Sequence, residues 1–504
     1  MPESVAFIDV GTNSIHLLIV SFYEGSLGTP VFSEKESVRM GKSLYETGRI
    51  DDETLEKARV VLSKFAQISQ EKGCSEIIAM ATCAAREAPN RADLVNVARE
   101  CGITLHVIPG REEARLTRLG VAGPDCPRRT LCIDVGGGST EIALALGRDD
   151  IYLDSLNLGA IRMAFGTGID QNGKVSPKQY DTLKKMVAAQ CYHSVGKIRD
   201  IGFDVVMGSS GTMEALADAC ASMRGDGDGS FLLRSELKSL MKIMCGLTAA
   251  ERCKLPKVSA NRADIVIGGG SVVEALMDLL DIERIEISRT GLREGMKVDY
   301  LLKKGHSDCS IRASSVMALA VRCECNTKHE EAVKKYTSQL YGEFVRVGLV
   351  QESPEMEELL GYAAQLHDVG AFISYDKHNA FSYTIIKNSY LAGFDSDELE
   401  RIALLARFHH NSFPGPSSKF FVGMDRKSAQ NLLKYAMILK IADILDRGRD
   451  FAVEEIRVEV LNGNVNLTVY ATADMSMAMW KLGTVVEDFR TLFGGRLSAE
   501  FVRS

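Results

Sequence analysis

Ile8-Asp9-Val10-Gly11-Thr12-Asn13-Ser14 recurs as Ile133-Asp134-Val135-Gly136-Gly137-Gly138-Ser139, with five of seven positions identical. Each copy follows an apolar run (Val5 to Ile8, Leu131 to Ile133) and precedes a β-prone one (Ile15 to Val20, Ile142 to Leu146). The pattern predicts strand, tight glycine turn, strand, twice over. Such a turn lines up backbone N–H groups around a concavity that suits phosphate oxygens. The Asp ending each first strand is placed to hold a divalent cation, directly or through water. A run of glycines lets the backbone approach an anion with no Cβ in the way. One such loop is accounted for by an ordinary hairpin. Two matching loops, each led by a strand and an Asp, point to a duplicated α/β fold.

The paired loops resemble the phosphate loops of the acetate-kinase/sugar-kinase/actin superfamily, whose duplicated domains close on phosphate and metal. Five ordered runs narrow the resemblance: Thr82-Cys83-Ala84-Ala85-Arg86, Gly110-Arg111-Glu112-Glu113-Ala114-Arg115-Leu116, Asp134 to Glu141, Gly208-Ser209-Ser210-Gly211-Thr212 and Thr290-Gly291-Leu292-Arg293-Glu294-Gly295. Together they resemble the exopolyphosphatase/guanosine-pentaphosphatase family, from Val5 to about Lys304. The resemblance implies hydrolysis of terminal phosphates from inorganic polyphosphate, with guanosine pentaphosphate as the rival substrate, and a dimer. It assigns the second Glu of the EEAR run, Glu113, as the base that activates water, and Arg86 as a phosphate-binding arginine.

The residues themselves are compatible with that chemistry. Phosphoanhydride cleavage by water needs a positioned nucleophile and charge neutralisation on the transferring phosphoryl group. Glu113 falls in the first turn of a predicted helix after Pro109-Gly110, where a carboxylate facing an enclosed site is a fair general base. Glu112 reads as serving only the helix dipole, which for Glu113 is the lesser alternative. Asp134 and Glu141 bracket the second loop and suit Mg²⁺; Asp9 is an outer-sphere candidate or a turn former. Gly136, Gly137, Gly138 and Ser139 would cradle the terminal phosphate, with Thr12, Asn13 and Ser14 on the opposite wall. Ser210, Gly211 and Thr212 open a predicted helix N-terminus after Val205-Val206-Met207, a further anion site. His16 reads equally as a site residue or a structural one. Arg293 reads as a clamp on a helix start, and Gly268-Gly269-Gly270 as scaffold where kinase relatives bind adenosine.

After Lys303-Lys304-Gly305 the pattern turns helical. Helices are predicted over Ser310 to Glu324, His329 to Val347, Met356 to Asp368, Asp397 to His410 and Lys427 to Leu445. His329, the pair His367-Asp368 and Asp443 lie on successive helices, with His409 and His410 between. H…HD…D resembles the metal pattern of HD-domain phosphohydrolases, implying a second divalent metal on His329, His367, Asp368 and Asp443; a domain that serves only binding and dimer contacts is the other reading. From Val453 alternation and the turn Asn462-Gly463-Asn464 predict a hairpin, followed by a helix from Ser476 to Leu492 and a strand from Arg496 to Val502. The expected architecture is therefore α/β: two duplicated actin-like domains (1–125 and 126–305), an all-α HD-type domain (306–450) and a small α+β cap (451–504).

Composition limits the alternatives. At 504 residues, 45% hydrophobic and 25% charged, the chain reads as a multi-domain globular protein. No apolar run approaches the roughly 20 residues a membrane span needs. The start MPESVAFIDV reads as no signal peptide, and twelve cysteines without a CxxC pair suit a reducing cytoplasm. The net charge of −7 argues against nucleic-acid binding, although 178–304 carries 19 Lys+Arg against 17 Asp+Glu, compatible with a polyanion. A kinase of the same fold would want an Asp base in the second lobe and an adenosine site, and a phosphate sensor has no need of Glu113.

Overall fold

The computed structural model describes residues 3–22, 28–225, 229–304, 311–325, 327–389, 391, 393–410, 413–415 and 418–503. The chain divides into two compact units, Met1–Arg312 and Ala313–Ser504. The expected junction at Gly305 and the helix start at Ser310 lie outside the described residues.

The first unit holds two sheets that repeat one topology. Strands β1 (Glu3–Val10), β2 (Ser14–Phe22), β3 (Thr29–Ser37), β4 (Cys74–Ala81) and β5 (Leu105–Val107) run in the order β3-β2-β1-β4-β5. The second sheet contains β6 (Cys126–Val135), β7 (Thr140–Gly147), β8 (Asp149–Leu156), β9 (Val205–Ser209), β10 (Phe231–Leu233) and β11 (Arg284–Ile287), ordered β10-β11-β9-β6-β7-β8. Without the edge strand β10, the second order reproduces the first, and so do the strand senses. β1 is antiparallel to β2 and parallel to β4; β6 is antiparallel to β7 and parallel to β9. Val5 to Ile8 and Leu131 to Ile133 are buried because both strands are central in their sheets. Each lobe has its own core, around Ile8, Leu17 and Phe65 in one and Ile133, Leu183 and Val272 in the other. This is the duplicated actin-like arrangement anticipated from the repeat.

Two glycines fix how the lobes meet. The Gly110–Val121 helix crosses the Leu292–Lys303 helix so closely that a Cβ at Gly295 would run into the Leu116 carbonyl, and one at Gly120 into the Gly291 carbonyl. The TGLREG run thus supplies backbone contact to the helix that carries Glu113. Its start is capped by Glu294, which accepts from the Gly291 N–H at 3.0 Å. Gly268 also serves close packing, lying against the Ala160 carbonyl.

The second unit is a helical bundle: Thr327–Arg346, Pro354–Leu366, His378–Asn388, Ser396–Phe408 and Arg426–Leu445, with Ile311–Arg322 leading into it. The His378–Asn388 helix was not anticipated. A three-stranded sheet follows, β12 (Val453–Leu461), β13 (Asn464–Ala471) and β14 (Leu497–Arg503), in that order. The hairpin turns at Asn462-Gly463, both left-handed. Between β13 and β14 the chain forms two helices, Ser476–Gly483 and Val486–Phe493, where one was expected; Gly483-Thr484-Val485 are poor helix formers. Tyr336, Phe344, Ile438, Val458 and Phe489 belong to one core, so the cap is continuous with the bundle. Among the described residues no helix is long and apolar enough to cross a membrane.

Candidate active site

The two glycine loops are built alike. The Gly11 N–H donates to the Ser14 carbonyl at 3.0 Å, and the Gly136 N–H to the Ser139 carbonyl at 3.0 Å. Thr12 O accepts from the Gly41 N–H at 2.8 Å, and Gly137 O from the Ile161 N–H at 2.8 Å. The loops meet across a cleft of about 660 Å³. A Cβ at Gly138 would lie 2.7 Å from Cys83 Sγ and 2.8 Å from Tyr45 Oη, and one at Gly137 3.2 Å from the Thr12 side chain. Only glycine lets the second loop approach the first this closely.

Strand register then places the acids. β1 and β2 set Asp9 opposite His16, while β6 and β7 set Asp134 opposite Glu141. His16 therefore occupies in the first loop the position of Glu141 in the second. Burial, reinforced by Arg293, Lys35 and Arg262, pushes the His16 imidazole down to about 2, so the ring is neutral; its Nε2 lies 2.7 Å from Ser14 Oγ. Ser209 Oγ donates to Asp134 at 2.5 Å and Ser155 Oγ to Glu141 at 2.8 Å. Glu113, only 8% exposed, accepts from Arg86 Nη1 at 2.9 Å.

These carboxyls crowd one another. Burial pushes Glu113 up to about 7 against the pull of Arg86, and Asp9 to about 7 with Asp134 and Glu294 adding to the shift. Burial raises Asp134, and burial with Glu113 and Asp134 raises Glu141 well above the usual range. Asp9 Oδ1 is buried without a hydrogen-bond partner. An orphaned carboxylate oxygen near Asp134, in a cleft that Glu141 also lines, fits a hard divalent cation, which would relieve the repulsion and take oxygen ligands.

Thr12, Asn13, Ser14, Glu113, Asp134, Gly136, Gly137, Gly138, Ser139, Glu141, Ser210, Gly211 and Thr212 all line this one cleft. Arg86 is not among its lining residues. It sits behind Glu113, donating also to the Ile108 carbonyl at 3.0 Å, because a buried carboxylate recruits the nearest guanidinium. Ser210, at φ 95° and ψ 156°, holds a strained backbone that costs about 1–3 kcal/mol. Its hydroxyl donates to the Val135 carbonyl at 2.8 Å and accepts from the Thr212 N–H at 3.2 Å, tying the Gly211–Arg224 helix to the second loop. Sequence reasoning missed the cations of the cleft wall, Lys35, Arg262 and Arg289, and gave Arg293 a capping role that belongs to Glu294. The Arg262 guanidinium lies directly against the Gly211 backbone at a helix N-terminus.

In the second unit His329, His367, Asp368 and Asp443 also converge. Asp443 Oδ1 lies 3.6 Å from Nε2 of both His329 and His367, and Asp368 lies 3.8 Å from His367 and 4.0 Å from His329. Burial lowers the His367 imidazole, but Asp368 and Asp443 outweigh it and hold the ring up near 9. His378 and His409 adjoin the same Asp368.

Two duplicated sheets closing glycine loops over a ring of carboxylates define a phosphate-handling protein of the actin-like class. Residues 18–304 match the model of the Ppx/GppA phosphatase family and residues 311–480 that of Ppx/GppA phosphatase, domain III. The chain belongs to the Ppx/GppA phosphatase family. It is 32% identical over 322 residues to exopolyphosphatase 1 of Mycobacterium tuberculosis, covering 61% of this chain and 91% of that protein. It is 28% identical over 454 residues to a guanosine-5'-triphosphate,3'-diphosphate pyrophosphatase of Photobacterium profundum, covering 88% of this chain and 87% of the other. Among solved structures, an exopolyphosphatase from Cytophaga hutchinsonii superposes with a TM-score of 0.55 at 25% identity, over 60% of this chain and 98% of that one.

Proposed function

We propose that the cleft of the first unit hydrolyses the terminal phosphoanhydride of inorganic polyphosphate, with Glu113 activating water and Asp134 and Glu141 holding Mg²⁺. The observation that carries this reading is Glu113 itself: a buried carboxylate in the cleft wall, held by Arg86 and pushed up to about 7, where a general base works best at neutral pH. Glu113 takes a proton from water as the water oxygen attacks the terminal phosphorus. The bridging P–O bond breaks, releasing orthophosphate and a chain shorter by one unit. Mg²⁺, when bound, neutralises charge on the phosphoryl oxygens. The backbone of Gly136 to Ser139 and Thr12 to Ser14 cradles the terminal phosphate, Ser210, Gly211 and Thr212 the next, and Arg262, Arg289 and Arg293 offer guanidiniums to the chain beyond. Arg86 becomes a positioning residue for Glu113.

Removal of the terminal 5'-phosphate of guanosine pentaphosphate is the second reading, favoured by the likeness to the Photobacterium pyrophosphatase across 88% of the chain. It uses the same residues. A kinase is the lesser reading, because Glu113 in the cleft wall suits activation of water. We further place one divalent metal on His329, His367, Asp368 and Asp443 in a helical domain of the HD type, divide the chain at 125/126, 305/306 and 450/451, and expect a cytoplasmic homodimer. Reaction in ¹⁸O-labelled water tests the reaction class. Hydrolysis puts one label into each orthophosphate released; unlabelled phosphate carried to an organic acceptor would establish a kinase instead.

A further inference from the structure

The carboxylate of Asp368 faces two sets of imidazoles. His329 and His367 stand on the Asp443 side. Beyond them, His378 Nε2 lies 3.6 Å and His409 Nε2 3.8 Å from Asp368 Oδ1. In all four rings the other nitrogen is committed. Nδ1 of His367, His378 and His409 lies 2.8, 2.7 and 2.5 Å from the carbonyls of Ala364, Tyr375 and Ala406, and Nδ1 of His329 lies 2.6 Å from the buried Asp446 carboxylate. A carbonyl or carboxylate only accepts, so Nδ1 carries the proton in each ring. Once a cation displaces any proton on Nε2, each ring turns an Nε2 lone pair inward, the arrangement that outer hydrogen bonds impose on metal-binding histidines.

Hydrogen bonding alone leaves this cluster unsatisfied. His378 Nε2 and His409 Nε2 face each other at 3.1 Å, acceptor against acceptor. His367 Nε2 is buried with no hydrogen-bond partner. Nitrogen and oxygen ligands about 2.0–2.2 Å from one tetrahedral ion stand roughly 3.3–3.6 Å apart. Spacings of 3.1 to 4.0 Å bracket that value, so small side-chain shifts complete the ligation. Arg449 Nη2, 3.6 Å from Asp368 Oδ2 on a 45% exposed side chain, is free to swing aside.

We propose that the second unit holds a dinuclear centre for divalent transition-metal ions: one ion on His329, His367 and Asp443, the other on His378 and His409, bridged by Asp368. Four imidazoles and two carboxylates favour Mn, Fe, Co, Ni or Zn over Mg. The inference extends the single-metal reading of His329, His367, Asp368 and Asp443 given above, and the test separates the two.

The full chain, stripped with chelator, is dialysed to equilibrium against Mn²⁺ with excess Mg²⁺ to occupy the phosphate cleft. The expected result is about two Mn per chain, with the exchange-coupled electron paramagnetic resonance of ions roughly 3.5–4 Å apart. His378→Gln, at a half-buried helix start and so tolerated by the fold, should reduce the content to about one and abolish the coupling. Asp368→Asn should abolish the coupling as well. One uncoupled Mn in the wild type overturns the dinuclear centre and leaves the single-metal reading standing; none overturns both. Two coupled ions in a folded His378→Gln protein would also refute the assignment.

Discussion

Replacing Glu113 by Gln separates catalysis from stability, because the two should move in opposite directions. The amide keeps the shape and still accepts from Arg86, but it takes no proton from water. Loss of general-base catalysis lowers turnover by about 10²–10⁴-fold. Stability follows from linkage. The native carboxyl is raised from 4.5 to about 7, so between those values the folded protein binds more protons than the unfolded one. Its stability therefore falls as pH rises through that window and levels off above it. At about 1.4 kcal/mol per unit, the ionised Glu113 costs the metal-free protein up to about 3 kcal/mol at pH 8 and only a few tenths near pH 4. Metal-free Glu113→Gln should thus be more stable than wild type at pH 8 and nearly equal to it at pH 4. Urea denaturation at both pH values and phosphate release under saturating polyphosphate give the two readouts. A rate loss under tenfold, or a variant less stable than wild type at pH 8, would refute the role and the electrostatics respectively.

Asp134→Asn and Glu141→Gln should each raise the Mg²⁺ concentration needed for half-maximal activity, with added Mg²⁺ partly restoring the weaker variant; undiminished activity in chelator would contradict the cation site. Gly295→Ala drives a Cβ into the Leu116 carbonyl; it should cost about 1–3 kcal/mol in urea denaturation, as overpacking does, and lower turnover by shifting the helix that carries Glu113. A chain ending at Arg312 contains every residue assigned to the cleft and should retain hydrolysis of short polyphosphate, measured by phosphate release; an inactive but folded fragment would contradict that assignment.

The repeat was legible because it is local: Asp9 and Asp134 announce themselves by identical neighbours, and register then brings Glu141 beside Asp134. The cleft's cations were not. Lys35, Arg262, Arg289 and Arg293 come from separate stretches with ordinary neighbours, and only the closing of two lobes collects them. The resemblance makes Arg86 a phosphate ligand; what sequence does not show is the buried Glu113 carboxylate 2.9 Å from it. The His378–Asn388 helix escaped notice because Asn379 and Ser382, two of its three buried residues, are polar, leaving no apolar stripe. With it went His378, so the sequence showed His329, His367, Asp368 and Asp443 as a set but not that His378 joins His409 beside the same Asp368.

Direct comparison of substrates decides whether the first unit's cleft removes terminal phosphates from a polyphosphate chain. Phosphate release should be measured side by side on long-chain polyphosphate, guanosine pentaphosphate and ATP, at equal concentrations of terminal phosphate, with Mg²⁺ present. The expected result is kcat/KM highest on polyphosphate, lower on guanosine pentaphosphate and negligible on ATP, with turnover lost in Glu113→Gln. Release from ATP at the highest rate, or from polyphosphate undiminished in that variant, would contradict it.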